Sequence, residues 1–278
     1  MPRRRLTRRD LLALGSSAAV LAACDSASGH GATAPPGASG SLAAPATSSP
    51  PAASSPAATA SHPPSAAAGR ALRAGTVVNS GGDIVHGPRT AQQVALTFHG
   101  AGASSIADSV FAELAARQAR VTIFAVGTWL AAAPQFARAI LDAGHELGNH
   151  TYHHLAMASL PAAQADTEVA RCAQLLTRLT GSAQTWFRPS GTPTSTAVIR
   201  AAALQGGYAR CVSYDVDSLD YTDPGAAAVV ANVLNAVRPG SIVSMHLGHQ
   251  GTVTALPAIL NGLAARKLQP VALSTLVG

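Results

Sequence analysis

From residue 94 onward the chain alternates short apolar runs, rich in β-branched residues, with longer stretches whose apolar residues recur every three or four positions. The runs at 94–98, 121–126, 146–149, 185–188, 211–216, 241–245 and 269–273 predict seven strands. Between them, 106–118, 134–143, 162–179, 196–204, 226–237 and 254–265 predict amphipathic helices, several opened by a proline or by a Ser, Thr or Asp cap. Strands that alternate with helices in this way imply an α/β fold, a parallel sheet with its helices outside.

The polar residues on this plan fall at strand carboxyl ends. His99 follows the first strand, His150 and His154 follow the third, Arg188 closes the fourth, Asp215 and Asp217 lie at the fifth and His246 follows the sixth. In a (β/α) barrel those ends converge on one face, whereas an open doubly wound sheet gathers them less completely. The expectation is an incomplete barrel of seven strands, (β/α)7, occupying residues 71–278 and large enough for one substantial core.

The preceding residues read differently. Arg8 and Arg9, followed by an apolar run from Leu11 to Ala23 too short for an ordinary transmembrane helix, form a twin-arginine export signal over 1–24. It ends Leu21-Ala-Ala-Cys24, which resembles a bacterial lipobox with Cys24 as the lipidated residue. Between Asp25 and Arg70 there is no Asp, Glu, Lys or Arg, so 25–70 is expected to be a disordered Ala/Ser/Pro linker. The formal net charge is +6, but five arginines and one aspartate of the signal supply most of it. With the remainder nearly balanced, nucleic-acid binding loses its support. These features imply an exported lipoprotein on the outer side of the cytoplasmic membrane, held there through its lipid anchor. Cys172 and Cys211 are too few for a disulfide scaffold, and buried free thiols are expected.

The densest chemistry lies in residues 149–155, where His150, His153 and His154 crowd together. Imidazole nitrogens are good ligands for zinc and its neighbours, and His150 and His154 could meet one ion. The surrounding residues, Gly144-His-Glu-Leu-Gly-Asn-His-Thr-Tyr-His-His154, resemble the second motif of the polysaccharide deacetylases, the NodB-homology or carbohydrate esterase family 4 domain. Trp186-Phe-Arg-Pro-Ser-Gly191 resembles the third motif. Asp217-Ser-Leu-Asp-Tyr221 is similar to the fourth with Tyr for Trp, and Gly240-Ser-Ile-Val-Ser-Met-His246 to the last. The likeness spans about residues 85–275.

The resemblance implies hydrolysis of an N-acetyl or O-acetyl group on a sugar by a divalent metal, zinc or cobalt, held by His150 and His154. It implies His246 as the acid, tuned by Asp217, and Arg188 as the anchor of the base. Asp215 and Asp220 would be partners of the histidines' second nitrogens, with Tyr221 beside them. An envelope glycan, peptidoglycan or a chitin-like oligomer, is the implied substrate. Aromatics make up only 4% of the chain, and Tyr152, Trp186 and Tyr221 are the candidate stacking platforms. His249 is expected to cap the helix after it, and His145 and His153 to be structural.

The first motif departs from the family. Its pattern Thr-Phe-Asp-Asp is replaced here by Thr97-Phe98-His99-Gly100, with His99 in the base position and Gly100 where a ligand carboxylate should stand. Three readings follow. His99 completes a three-histidine metal site with His150 and His154; or His99 keeps the role of base beside a weak two-histidine site; or the centre is dead and the cleft holds a glycan.

Overall fold

The computed structural model describes residues 71–278. The twin-arginine signal, Cys24 and the linker lie outside the described residues.

The domain opens with a small antiparallel hairpin, β1 (Val77–Val78) and β2 (Ile84–His86). Strand–helix alternation follows: β3 (Gln93–Gly100), α1 (Ser104–Ala116), β4 (Thr122–Ala125), α2 (Gly127–Ala132), α3 (Gln135–Asp142), β5 (Glu146–Asn149), α4 (Ala162–Thr180) and β6 (Trp186–Phe187). It continues through α5 (Ala197–Gln205), β7 (Val216–Asp217), α6 (Ala226–Ala236), β8 (Ile242–His246), α7 (Gln250–Ala265), β9 (Gln269–Pro270) and α8 (Leu273–Val277). The main sheet has seven strands in the order β6-β5-β4-β3-β8-β7, with β9 against the start of β3, and every pairing is parallel.

The expected strand 211–216 is split. Cys211 bridges Phe187 of β6, Val212 bridges Ile84 of the hairpin, and only Val216 and Asp217 join β8. This irregular segment links the two ends of the sheet, so the ring closes loosely, as an incomplete barrel does. The hairpin, α2 and α8 are too short for a hydrophobic period to announce them. The last long helix begins at Gln250, four residues before the expected start.

Side chains alternate across β3 with period two. Val94, Leu96 and Phe98 face the helices, in a core shared with Val110, Leu114, Ile123, Leu130, Leu256 and Ile259. Ala95 faces the barrel interior, packed with Phe124, Ile242, Val212 and Leu273. The same interior row continues upward through Thr97 to His99, and in β8 through Ser244 to His246. The barrel is therefore apolar at its base, hydroxyl-bearing in the middle and imidazole-bearing at its carboxyl end. Cys172 and Cys211 are buried free thiols. Among the described residues no helix is long and apolar enough to cross a membrane.

Candidate active-site cleft

The carboxyl ends of the strands open into a cleft of about 570 Å³, walled by His99, His154, His246, His249, Tyr214 and Tyr221 among others. The register of β3 against β8 sets His99 directly beside His246. The two rings stand edge to face, centroids 4.4 Å apart, with His99 Nδ1 2.9 Å from His246 Nε2. Beneath them Arg188 is 1% exposed. It donates through Nη1 to Thr97 Oγ1 at 2.8 Å, and through Nε and Nη2 to the carbonyls of Val212 and Ser213. Nη1 also lies 3.3 Å from His99 Nε2.

These contacts fix the tautomers. A guanidinium only donates, so His99 Nε2 accepts, His99 Nδ1–H donates to His246 Nε2, and His246 Nδ1–H donates to Asp220 Oδ1 at 2.7 Å. Asp220 is fully buried and also accepts from the His246 backbone N–H and from Thr252 Oγ1. The result is a hydrogen-bonded wire in which two imidazoles bridge the Arg188 guanidinium and the Asp220 carboxylate. Burial pushes the His99 ring well below its ordinary value, helped by His150, His246 and Arg188. Burial lowers Arg188 to about 9. For Asp220 burial alone would raise the carboxyl, but the bonds and charge of His246 and the Thr252 hydroxyl carry it below the ordinary value.

The other histidines come from the turn after β5. Thr151 and His154 hold left-handed backbone, φ 66° and 61°. For residues with a Cβ this costs about 1–2 kcal/mol each, most plainly for β-branched threonine. The turn is held by Asn149, whose side chain accepts from Thr151 N and donates to Val169 O and Tyr208 Oη. His150 is fully buried, donates Nδ1–H to the Arg188 carbonyl at 2.8 Å, and leaves its buried Nε2 without a partner. Burial and the nearby His154 lower its pKa well below 6.5. His154 is exposed on the cleft wall, its ring centroid 5.0 Å from that of His150.

A metal of the expected kind can be tested against these donors. The His150–His154 spacing suits a shared ion, since two imidazoles on one tetrahedral zinc put their centroids about 5 Å apart. An orphaned nitrogen opposite a carbonyl-anchored N–H is the usual posture of a ligating histidine. The third donor is missing. His99 lies 4.2 Å from His150 as a tilted stack, with both nitrogens already engaged. Gly100 belongs to the helix-facing row, where a Cβ would meet Trp129 Cζ3 at 3.0 Å, Ala125 Cα at 3.1 Å and Ile123 Cγ2 at 3.1 Å. Among the described residues no three His, Cys, Asp or Glu side chains converge to hold an ion. The side chains form half of a metal centre and do not fit the whole of one, so the expected three-histidine set is not assembled.

Other expectations are reassigned by the geometry. The carboxylate on His246 is Asp220, not Asp217, which accepts from the Leu219 N–H and from Tyr214 Oη. Asp215 sits at the opposite end of β8, paired with Arg89 at 2.7 Å and accepting from Ile242 N. His249 makes no side-chain cap and pairs with Asp223 at 2.9 Å. Of the candidate platforms Tyr221 lines the cleft, 5.2 Å from the His246 ring. Trp186 is buried against Ser274, and Tyr152 lies under Arg171. His145 is buried and stacked on Phe111. Nothing in the sequence pattern marks Tyr214, Thr97 or Thr252 as part of this site. Glu168 alone carried a signal, a carboxylate within the apolar stripe of α4.

Parallel strands whose carboxyl ends open into a histidine-lined cleft define the class of α/β barrels with a site at that face, and the comparisons narrow it. The sequence matches the family described as polysaccharide deacetylase over residues 86–209. It is 32% identical to a family 4 carbohydrate esterase from Streptomyces lividans, solved with acetate, over 64% of this chain and 90% of that one, TM-score 0.59. It is 28% identical to a peptidoglycan-N-acetylglucosamine deacetylase of Bacillus cereus over 68% of this chain and 70% of that protein. A family 4 pseudoenzyme from Bacillus anthracis shares the fold at TM-score 0.66 and 24% identity, over 71% of this chain and 69% of that one. A mutant of that pseudoenzyme with restored enzymatic activity matches at 25% identity and the same TM-score, over 71% and 72%. The chain belongs to the polysaccharide deacetylase family.

Proposed function

We propose that this protein binds an N-acetylated glycan of the cell envelope in its deacetylase-fold cleft without removing the acetyl group. The observation that carries this reading is the 2.9 Å contact between His99 and His246. These stand in the positions that the resemblance gives to base and acid, and a group can act as either only through a nitrogen within reach of the substrate or water proton. Here each satisfies the other, and no carboxylate is present at position 99 or 100. The glycan preference rests on kinship with proteins named for peptidoglycan and chitooligosaccharide deacetylation. Tyr214 and Tyr221 on the cleft wall offer sugar-stacking faces. The twin-arginine signal and Cys24 add the proposal that the domain hangs outside the cytoplasmic membrane on the 25–70 linker. Release of the protein from the membrane fraction by Cys24→Ser tests that part.

The unpartnered Nε2 of His150 favours a second reading, a divalent-metal deacetylase of low metal affinity. One experiment separates the two. The full chain is titrated calorimetrically with chitotetraose and with muropeptides, with and without a chelator, while acetate release and bound zinc or cobalt are measured. Saturable binding indifferent to chelator, with acetate at the blank level, is expected. Acetate release that needs added metal and vanishes in His150→Ala would overturn the proposal in favour of the hydrolase.

A further inference from the structure

Glu168 lies on α4, a helix with no part in the wire, yet its carboxylate is only 2% exposed and is directed entirely at the histidine turn. Oε2 accepts the backbone N–H groups of Tyr152 at 3.1 Å and His153 at 2.7 Å, and Oε1 lies 2.6 Å from His153 Nδ1. One helical turn on, Arg171 lays its guanidinium over the Tyr152 ring at 4.0 Å and points Nη1 at His153 Nε2, 3.4 Å away. Since the guanidinium donates, His153 accepts at Nε2 and donates Nδ1–H to Glu168. The two residues that Glu168 grips lie between the two left-handed positions, Thr151 and His154.

We infer that Glu168 is the positioning residue of the cleft's second wall: it holds residues 152–153 against the backbone strain on either side, so that the His154 ring on the cleft wall stands 5.0 Å from the buried His150 ring. Left-handed backbone in non-glycine residues persists only where the surroundings over-determine it. A buried carboxylate taking three charge-assisted bonds is such a determinant. Nothing in this depends on what occupies the cleft. The affinity part of the test rests on the proposed function, and the spectroscopic part does not.

The test compares Glu168→Ala and Glu168→Gln with wild type in the full chain, labelled at histidine side-chain nitrogens. Glu168→Ala is expected to shift or split the His150 and His154 ring signals and speed amide exchange at Tyr152 and His153 by tenfold or more, leaving the His246 signal in place. Chitotetraose affinity is expected to fall about tenfold. Glu168→Gln, which keeps one oxygen acceptor for the amides, is expected to lie between. If the alanine variant does not fold, Arg171→Met supplies a milder perturbation of the same signals. Unchanged His150 and His154 signals in a folded variant, or shifts spread evenly over all the histidines, would overturn the inference. If wild type binds no glycan but the signals move as expected, the proposed function fails and the positioning role stands.

Discussion

The two histidine-bearing walls of the cleft meet the same demand, burial of imidazole among charges, in opposite ways. On the β3–β8 side His99 and His246 use their nitrogens on each other and on the buried pair Arg188 and Asp220. On the β5 side the charges are kept behind the wall, where Glu168 and Arg171 bracket His153, and His150 Nε2 is left buried and unpartnered. A nitrogen already bonded within the protein has no lone pair or proton to offer a ligand; one left buried and unpartnered carries a desolvation cost that a ligand can relieve. The His99–His246 wall is thus tied up within the protein, while His150 on the opposite wall keeps one nitrogen unused.

The sharpest way to break this contrast is to remove the anchor of the His99–His246 wall. Asp220→Ala strips the His246 N–H, the His246 ring and the Thr252 hydroxyl of their acceptor. A loss of about 3–5 kcal/mol is expected in urea unfolding, the range for breaking a buried charged network. A loss below about 1 kcal/mol would show that the wire carries little of the fold.

Acid should weaken both walls. His99 and His150 are held well below 6.5, by burial first and neighbouring charge second, and burial and Arg120 bring His145 to about 4. Below 6.5 the unfolded chain takes up protons that the folded rings refuse, so stability rises with pH in this window. The contribution is complete above 6.5 and drains away as pH falls toward the folded values. Each such ring adds a slope of up to about 1.4 kcal/mol per pH unit. Unfolding measured at pH 7, 6 and 5 should show the fall, and His150→Gln should make it shallower.

Position 100 tests which way the altered motif faces. Gly100→Ala places a methyl against Trp129, Ala125 and Ile123 and should cost about 1–3 kcal/mol through overpacking. If the variant is as stable as wild type, the backbone there is free to turn a side chain elsewhere, and a ligand carboxylate at 100 becomes feasible. The smallest effect belongs to the exposed side. His154→Asn, in a left-handed position that asparagine tolerates, should change stability by less than about 0.5 kcal/mol while altering glycan affinity.

Several features could be read from residues alone because they depend on local periodicity. The alternation that sets His99 inside β3 and Gly100 outside it follows from the two-residue repeat of any strand. The glycine at 100 was visible as a missing carboxylate, but its confinement against Trp129 was not, because α2 is too short to announce itself. The resemblance pointed to Asp217 as the partner of His246, and the structure gives that place to Asp220. The reason is a tight turn, Asp220–Thr222, entered through Leu219 at φ 54°, which carries the second aspartate under the imidazole. The break in the expected strand 211–216 arises because its two ends pair with different neighbours, a property of the sheet and not of the run itself.

Sequence by itself determined the α/β class, the alternation of the longer strands and helices, the kinship with polysaccharide deacetylases and the departure at His99 and Gly100. Each of these is written in spacing or in the identity of single residues. Tertiary structure decided that His99 is tied to His246 and Arg188, that Asp220 anchors the wire, and that Glu168 braces the opposite wall. Those bonds join residues 26 to 147 positions apart, or a helix to a neighbouring turn. The direction of a donor or lone pair becomes defined only when the strands have been brought side by side.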